Sequence, residues 1–105
     1  MKFRSNRCIA VHLKNLSKAE RFYGHILGFK LKKKTKDSLE YDTGLLRLYV
    51  NRSSTGRPPV PSFSVRSVAK ARRLIEGAGC KIVADGEKAF YFRDPFGFVF
   101  DVIED

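Results

Sequence analysis

An internal repeat is the feature that most constrains the fold of this chain. LKNLSKA at residues 13–19 aligns with VRSVAKA at residues 65–71, and LGFKL at residues 27–31 aligns with AGCKI at residues 78–82, with a gap of one residue. Both halves can therefore fold as the same supersecondary unit, and such a unit must bury its apolar face against another surface. The repeat predicts two similar modules in one domain of 105 residues.

The first half has the pattern β-α-β-β-β. An apolar run at residues 7–13 is typical of a buried strand and is followed by a helix, for which Asn15 and Ser17 are alternative N-caps and Gly28 is the expected end. The apolar residues of this helix recur at the spacing of one helical face: Ala19, Phe22, Tyr23, Ile26 and Leu27. Three further strands are predicted at residues 29–34, 38–42 and 45–50.

The second half repeats this pattern. A strand at residues 62–65 precedes a helix that starts at Ser67 and ends at Gly79. The predicted apolar stripe of this helix is Val68, Ala71, Leu74, Ile75 and Ala78. The predicted strands that follow it are residues 80–84, 88–93 and 98–104.

These elements predict an α+β fold in a single domain. The modules are residues 7–51 and 60–105, and the polar, proline-rich residues 52–59 form a linker between them. We expect each helix to cover one face of its own strands. The uncovered faces would then shelter each other as a curved, cup-shaped sheet with the helices outside.

Charge limits the class of partner. The chain has 21 Lys and Arg against 11 Asp and Glu, a net charge of +10, which disfavours cationic ligands. No apolar run approaches the roughly 20 residues of a membrane helix, and the MKFRSNR start lacks the apolar part of a signal peptide. Cys8 and Cys80 form no C-x-x-C motif, so we expect reduced, buried thiols. We therefore expect a cytoplasmic protein without a membrane partner.

A match to an RNA-binding signature is incomplete. FGFV at residues 96–99 fits the middle of the RNP1 motif, but Asp94, Pro95 and Asp101 do not fit its flanks. Nucleic acid is therefore a disfavoured partner, and solubility explains the lysine-rich residues 30–36 equally well.

Two sets of motifs together resemble the vicinal oxygen chelate superfamily. They are NLSKA, FY and LGF in the first half and DPFGFVFDV at residues 94–102. This superfamily includes glyoxalase I, extradiol dioxygenases, fosfomycin-resistance enzymes and bleomycin-resistance proteins. The resemblance spans about residues 8–104 and implies paired βαβββ modules around a cup-shaped site, frequently in a homodimer. In the enzymes it also implies a divalent metal ion.

The chain departs from the superfamily at the metal ligands. The resemblance places the three ligand positions at Cys8, Val60 and Asp101, and valine offers no donor atom. We therefore expect no metal and no other cofactor. His12 lies in phase with Cys8 on the first strand, which leaves open a two-ligand site with Asp101.

Alternation along the strands predicts which residues line the cleft. The predicted ligand-binding residues are His12, Arg47, Tyr49, Tyr91, Arg93 and Asp101. Asp101 is expected either to act as a general base or to pair with a basic side chain, and the net charge favours pairing. A one-residue slip in the strand at residues 45–50 would reverse its faces.

These observations predict a small-molecule-binding protein rather than an enzyme. It would act without a metal, and its ligand would be anionic or neutral and partly aromatic; we assign no catalytic residue. One alternative is a metal-dependent lyase, isomerase or dioxygenase that uses His12 and Asp101. A second alternative is an RNA-binding module.

Overall fold

The chain forms two compact units in a computed structural model that describes every residue from Met1 to Asp105. The N-terminal unit is Arg7–Val60, and the C-terminal unit combines Met1–Asn6 with Pro61–Asp105. Each unit has its own cluster of buried apolar side chains.

The N-terminal unit follows the order β-α-β-β-β. Its elements are β1 (Arg4–Leu13, whose first three residues belong to the C-terminal unit), α1 (Leu16–Ala19) continued by a π-helix (Glu20–Ile26), β2 (Lys30–Lys34), β3 (Ser38–Asp42) and β4 (Arg47–Arg52). The strand order is β2-β3-β4-β1. Strands β1 and β4 are parallel, whereas the other neighbouring pairs are antiparallel.

The C-terminal unit repeats this topology. Its elements are β5 (Arg57–Val65, whose first four residues belong to the N-terminal unit), α2 (Val68–Gly77), β6 (Lys81–Asp85), β7 (Ala89–Arg93) and β8 (Val99–Glu104). The strand order is β5-β8-β7-β6, with β5 and β8 parallel and the other pairs antiparallel. The α+β fold class and the repeated βαβββ pattern predicted from the sequence are confirmed.

Two strands begin earlier than the sequence predicts. Strand β1 starts at Arg4, before the apolar run, and β5 starts at Arg57, within residues 52–59 that were expected to be a linker. Pro58 and Pro59 favoured the linker prediction. Proline removes a backbone donor, but its φ angle is compatible with an extended strand, and this allows β5 to include both residues.

The first helical segment departs from its predicted apolar face. The side chain of Asn15, not Ser17, caps it and accepts a hydrogen bond from Lys18 N at 2.9 Å. The backbone then forms π-helical bonds, such as Leu27 N to Phe22 O at 2.9 Å. Because a π-helix has more residues per turn than an α-helix, the predicted stripe does not stay on one face. Phe22 is 46% exposed and Ile26 is 65% exposed.

Helix α2 keeps most of its predicted apolar face. The side chain of Ser67 accepts a hydrogen bond from Lys70 N at 3.2 Å and caps the helix. Val68 and Ala71 are buried and Ile75 is half-buried, but Leu74, at 52%, and Ala78 are exposed and do not belong to the buried stripe. Neither helical segment has the length and apolar character to span a membrane.

Each helical segment packs on one face of the strands in its own unit. The fully or nearly buried residues of the N-terminal core are Leu16, Ala19, Leu39, Tyr41, Leu48 and Val50. Those of the C-terminal core are Val65, Val68, Ala71, Phe90, Phe92 and Val102. Side chains alternate along a strand, so the residues between these core positions point to the face that the helix does not cover.

The lysine-rich segment forms strand β2 at the edge of the N-terminal unit. All five residues of Lys30–Lys34 are exposed. Lys34 Nζ lies 2.9 Å from Glu20 Oε1 in an ion pair. Exposed lysines on an edge strand disfavour pairing with the strands of other molecules. The lysines of β2 therefore have a structural role.

Candidate functional site

The uncovered face of the C-terminal unit carries polar side chains on β7 and β8. Phe90 and Phe92 belong to the core beneath α2, so Tyr91 and Arg93 point to the other face of the strands. Val102 is likewise a core residue of β8, and its neighbour Asp101 faces away from the helix. The alternation predicted for these three polar residues agrees with the register of the strands.

Strand register brings a set of these residues side by side. Asp101 is the partner of Tyr91 on β7 and of Ser62 on β5. Arg93 is the partner of Val99, two residues from Asp101 along β8. We refer to Ser62, Tyr91, Arg93, Val99 and Asp101 as the Asp101 face.

Asp101 is a buried carboxyl group with only one oxygen bonded. The residue is 9% exposed, and Asp101 Oδ2 accepts a hydrogen bond from Ser62 Oγ at 3.0 Å. Asp101 Oδ1 is buried and has no hydrogen-bond partner. Burial raises the pKa of Asp101 above its usual 3.8, although the hydrogen bonds from Ser62 and from the Val102 backbone oppose this effect.

The pairing expected for Asp101 is wrong. The sequence favoured a basic side chain as its partner, but Asp101 Oδ2 accepts its hydrogen bond from Ser62, and none of the ion pairs in the structure includes Asp101. The reason is local: its neighbours on the adjacent strands are Ser62 and Tyr91, which are both uncharged.

Asn6 and Ser62 are site residues that sequence reasoning missed. Asn6 Nδ2 donates hydrogen bonds to Ser62 Oγ at 2.8 Å and to Ser64 Oγ at 3.3 Å. Asn6 lies before the apolar run of the first strand, and Ser62 lies in a strand that carried no functional signal. Only the pairing of β5 with β8 places Ser62 beside Asp101.

Arg93 and Tyr91 complete the Asp101 face. Arg93 is exposed at the end of β7, next to the turn that leads into β8. Tyr91 is half-buried beside Asp101. A cation, an aromatic ring and a carboxyl group therefore share one face of one unit.

Arg47 on the N-terminal unit is paired within the protein. The Arg47 guanidinium donates to the Glu40 carboxylate on the neighbouring strand β3. This hydrogen bond is the main reason that the pKa of Arg47 is raised above its usual value. The carboxylate offsets the positive charge that the sequence analysis assigned to ligand binding.

His12 and Tyr49 lie on the same face as Arg47. In the strand pair β1–β4, Cys8 is the partner of Arg47, and Ala10 is the partner of Tyr49. His12 is two residues beyond Ala10 on β1, so its side chain points to the same face as Arg47 and Tyr49. Burial, followed by interactions with Cys8 and Glu40, raises the pKa of Tyr49.

The environment of His12 lowers its pKa. Burial lowers the pKa of His12, and the charge of Arg57 lowers it further. The imidazole is therefore held toward its neutral form.

The structure thus brings the six predicted residues together as two sets of three: His12, Arg47 and Tyr49 on the N-terminal unit, and Tyr91, Arg93 and Asp101 on the C-terminal unit.

The donor atoms do not fit the metal ion that the superfamily resemblance implies for enzymes. Val60 is 1% exposed and has only a hydrocarbon side chain, while Asp101 is already bonded to Ser62. No group of three or more His, Cys, Asp or Glu side chains in the chain is arranged to hold a metal ion. We therefore derive no chemistry through a metal.

An open groove on the first helical segment lies apart from the predicted residues. It has a volume of about 440 Å³ and is lined by Ser17, Glu20, Arg21 and His25. Its lining carries mixed charges and includes none of the six predicted ligand-binding residues.

Comparison with known proteins points to one family. The family model described as Glyoxalase/Bleomycin resistance protein/Dioxygenase superfamily matches residues 8–102. No curated protein sequence matches the chain.

Several solved structures have a similar fold. Homoprotocatechuate 2,3-dioxygenase from Brevibacterium fuscum, in complex with 3,4-dihydroxyphenylacetate, has a TM-score of 0.76 and 18% identity over 99% of this chain and 37% of that one. The Mn(II)-bound glyoxalase from Novosphingobium aromaticivorans has a TM-score of 0.69 and 21% identity over 99% and 40% of the two chains. A superfamily member from Vibrio splendidus 12B01 has a TM-score of 0.72 and 15% identity over 99% and 100%. The chain spans little more than a third of the dioxygenase, and these identities establish the fold alone.

Proposed function

Since the chain belongs to the glyoxalase/bleomycin resistance protein/dioxygenase superfamily, we propose that it binds a small, neutral or anionic, partly aromatic molecule on the Asp101 face without a metal ion. The observation that carries this proposal is the Asp101 carboxyl group. One of its oxygens is buried without a hydrogen-bond partner on a strand face that the helix leaves uncovered.

A buried oxygen of this kind is unfavourable until a hydrogen-bond donor reaches it. A buried acceptor without a partner costs about 1–3 kcal/mol, and a ligand donor recovers part of this cost on binding. Tyr91 beside Asp101 offers an aromatic surface, and exposed Arg93 offers a cation for an anionic group. These features support a ligand that combines a ring with polar groups.

The donor set supports metal-independent binding. The three positions at which the superfamily resemblance places ligands hold a thiol, a hydrocarbon and one carboxyl group, in Cys8, Val60 and Asp101. A transition metal needs several convergent nitrogen, oxygen or sulfur ligands, which these side chains do not supply.

Calorimetric titration with anionic aromatic compounds tests the proposal. We expect phenylacetate and 3,4-dihydroxyphenylacetate to bind saturably, and Arg93→Ala to weaken both about tenfold, because it removes the cation of the face. Arg73→Ala is the matched control, since Arg73 is exposed on α2 and lies on the covered side of the unit. Absence of saturable binding by every compound would contradict the proposal, as would equal effects of the two substitutions.

A metal-dependent enzyme is the second candidate, because similar folds include the Mn(II)-bound glyoxalase. Elemental analysis of protein purified without a chelator separates the two functions. Our proposal predicts substoichiometric transition metal. One metal ion per chain would favour a lyase, isomerase or dioxygenase instead.

The proposal also includes one domain, a homodimer and a cytoplasmic location. The exposed apolar side chains Phe22 and Ile26 support association of two copies, because isolated soluble monomers rarely expose a large apolar patch. Light scattering should give twice the 12.0 kDa chain mass. A monomer at micromolar concentration would contradict this part of the proposal.

A further inference from the structure

Strand β2 forms an unpartnered edge of the N-terminal unit. It pairs with β3 on one side only, and all five of its residues, Lys30–Lys34, are exposed. An edge strand presents unpaired backbone groups to other chains. Just beyond β2, Thr35 N donates to Ser38 O at 2.9 Å, so the preceding residue, Lys34, directs its backbone N–H and C=O away from β3. The edge therefore has hydrogen-bonding groups for a further chain.

The charge of β2 selects the kind of chain that fits this edge. None of the ion pairs in the structure includes Lys30, Lys32 or Lys33, and Lys34 alone is paired, with Glu20 at 2.9 Å. Two β2 edges from two copies would place lysine against lysine, which is unfavourable. Lysines that oppose such pairing attract an acidic chain, so the charge gives specificity as well as affinity.

The two faces of β2 differ in chemistry. Leu31 is the partner of the core residue Tyr41 and points to the side that the helical segment covers. Lys33 is the partner of Glu40, the neighbour of Tyr41 on β3, and points to the opposite face, as does Lys30. The register shift between Leu31 and Lys33 keeps both lysines on this face although an odd number of residues separates them along the chain.

Exposed aliphatic side chains accompany the lysines. Leu31 is exposed on the helix side of β2, and Ile26 and Leu27 are exposed where the π-helix ends, just before β2. Nucleic acid would bind through its phosphates and leave these aliphatic groups in water. An extended polypeptide sends successive side chains to opposite faces, as β2 does, and it can therefore match a basic face and an apolar face at once.

We propose that the edge of β2 binds an extended acidic segment of another protein, in which acidic residues alternate with apolar ones. The acidic side chains of this segment pair with Lys30 and Lys33 on one face, and its apolar side chains pack on Leu31 on the other. The β2 edge shares no residue with the Asp101 face, so this proposal does not depend on the proposed function.

Two labelled peptides of equal composition test the proposal by fluorescence anisotropy with the full chain. Extended EVEVEVEV carries all its glutamates on one face, whereas EEVVEEVV divides the same charges between both faces. We expect saturable binding of EVEVEVEV and about threefold weaker binding of EEVVEEVV, because only the first matches both faces of β2. Equal affinities would overturn the proposal, as would the absence of saturable binding by EVEVEVEV.

Two double variants with the same loss of charge locate the binding. Lys30→Gln combined with Lys33→Gln should weaken binding of EVEVEVEV about fivefold, because it removes both cations of one face. Lys70→Gln combined with Lys81→Gln is the matched control, since both lysines are exposed in the C-terminal unit. We expect the control to change the affinity by less than about twofold. Equal effects of the two pairs would show that binding follows net charge alone, and this would overturn the proposal.

Other anionic partners have separate outcomes. An oligothymidylate of the same charge as EVEVEVEV and vesicles of phosphatidylglycerol are titrated with the full chain under the same conditions. Weaker binding of both than of EVEVEVEV is the expected result, because neither offers alternating acidic and apolar groups. Tighter binding of either one would overturn the assignment of a polypeptide partner.

Discussion

The buried hydroxyl of Tyr41 gives a direct test of the packing between the first helical segment and β3. Tyr41 is 0% exposed, and its Oη atom has no hydrogen-bond partner. Burial and the charge of Glu20 raise the pKa of Tyr41. A buried hydroxyl without a partner costs about 1–3 kcal/mol. We therefore expect Tyr41→Phe to raise the free energy of unfolding by about 1 kcal/mol, after allowing for lost contacts of the oxygen.

Tyr49→Phe is the matched control for this substitution. Tyr49 lies on the neighbouring strand β4, but its hydroxyl forms a hydrogen bond with Cys8. Loss of an ordinary hydrogen bond costs about 0.5–1.5 kcal/mol, so this variant should be less stable than the parent. The same chemical change is expected to have opposite signs at the two tyrosines. Urea unfolding followed by far-ultraviolet circular dichroism measures both changes, provided that the m value is unchanged.

Gly24 allows a double-mutant cycle with Tyr41. A Cβ atom added at Gly24 would lie 3.4 Å from Tyr41 Oη and 3.6 Å from Tyr41 Cε1. Alanine in a helix is about 1 kcal/mol more favourable than glycine, but contact with the hydroxyl at the short end of the van der Waals range offsets part of the gain. Gly24→Ala should therefore stabilise the Tyr41→Phe protein by about 0.5 kcal/mol more than it stabilises the parent. The reasoning is refuted if Tyr41→Phe lowers stability by about 1 kcal/mol or more, because the hydroxyl would then have a partner.

Three further predictions concern the cap, the buried carboxyl group and the ion pair. Asn15→Ala should lower the free energy of unfolding by about 1 kcal/mol, whereas Ser17→Ala should change it by less than about 0.5 kcal/mol, in urea titrations; equal losses would show that the assigned cap is wrong. Because burial raises the pKa of Asp101, the folded chain binds this proton more tightly than the unfolded chain does. The free energy of unfolding of the parent, relative to that of Asp101→Asn, should therefore be greatest below pH 3.8 and should fall as the pH rises through the raised pKa. An increase in this difference over roughly pH 3 to 7 would contradict the prediction. Glu40→Gln should release Arg47 and tighten calorimetric binding of small anions to the N-terminal unit, with little change in the thermal unfolding temperature because the pair is partly exposed. Unchanged anion binding would show that Arg47 is not available there.

The repeat predicted the fold well because local signals agreed with one another. Ser67 and Gly79 bound the second helix as expected, with a side-chain cap at the first residue and a φ of 86° at the second. Alternation along β7 and β8 also predicted that Tyr91 and Asp101 share a face. Such signals depend on neighbours in sequence, so they are readable without the tertiary structure.

The first helical segment was predicted less well because its hydrogen bonding is not α-helical. A stripe at a period of 3.6 residues correctly placed Ala19 in the core, but the π-helix turns Phe22 and Ile26 toward solvent. Apolar spacing alone does not distinguish these two helix types.

The site was only partly predictable because its decisive contacts join residues far apart in sequence. Asn6 and Ser62 are 56 positions apart, and Ser62 and Asp101 are 39 positions apart. Arg47 was correctly placed on the polar face of β4, but its pairing with Glu40 depends on the antiparallel register of β3 and β4. Composition predicted a basic partner for Asp101, whereas the strand neighbours are uncharged.

Calorimetric titration of chelator-treated protein with phenylacetate tests the proposed function most directly. The central claim is that Asp101 and Arg93 bind the ligand without a metal ion. We predict saturable binding with one site per chain and the same affinity before and after the chelator treatment. Binding that disappears with the chelator and returns when a divalent transition metal is added would contradict the claim.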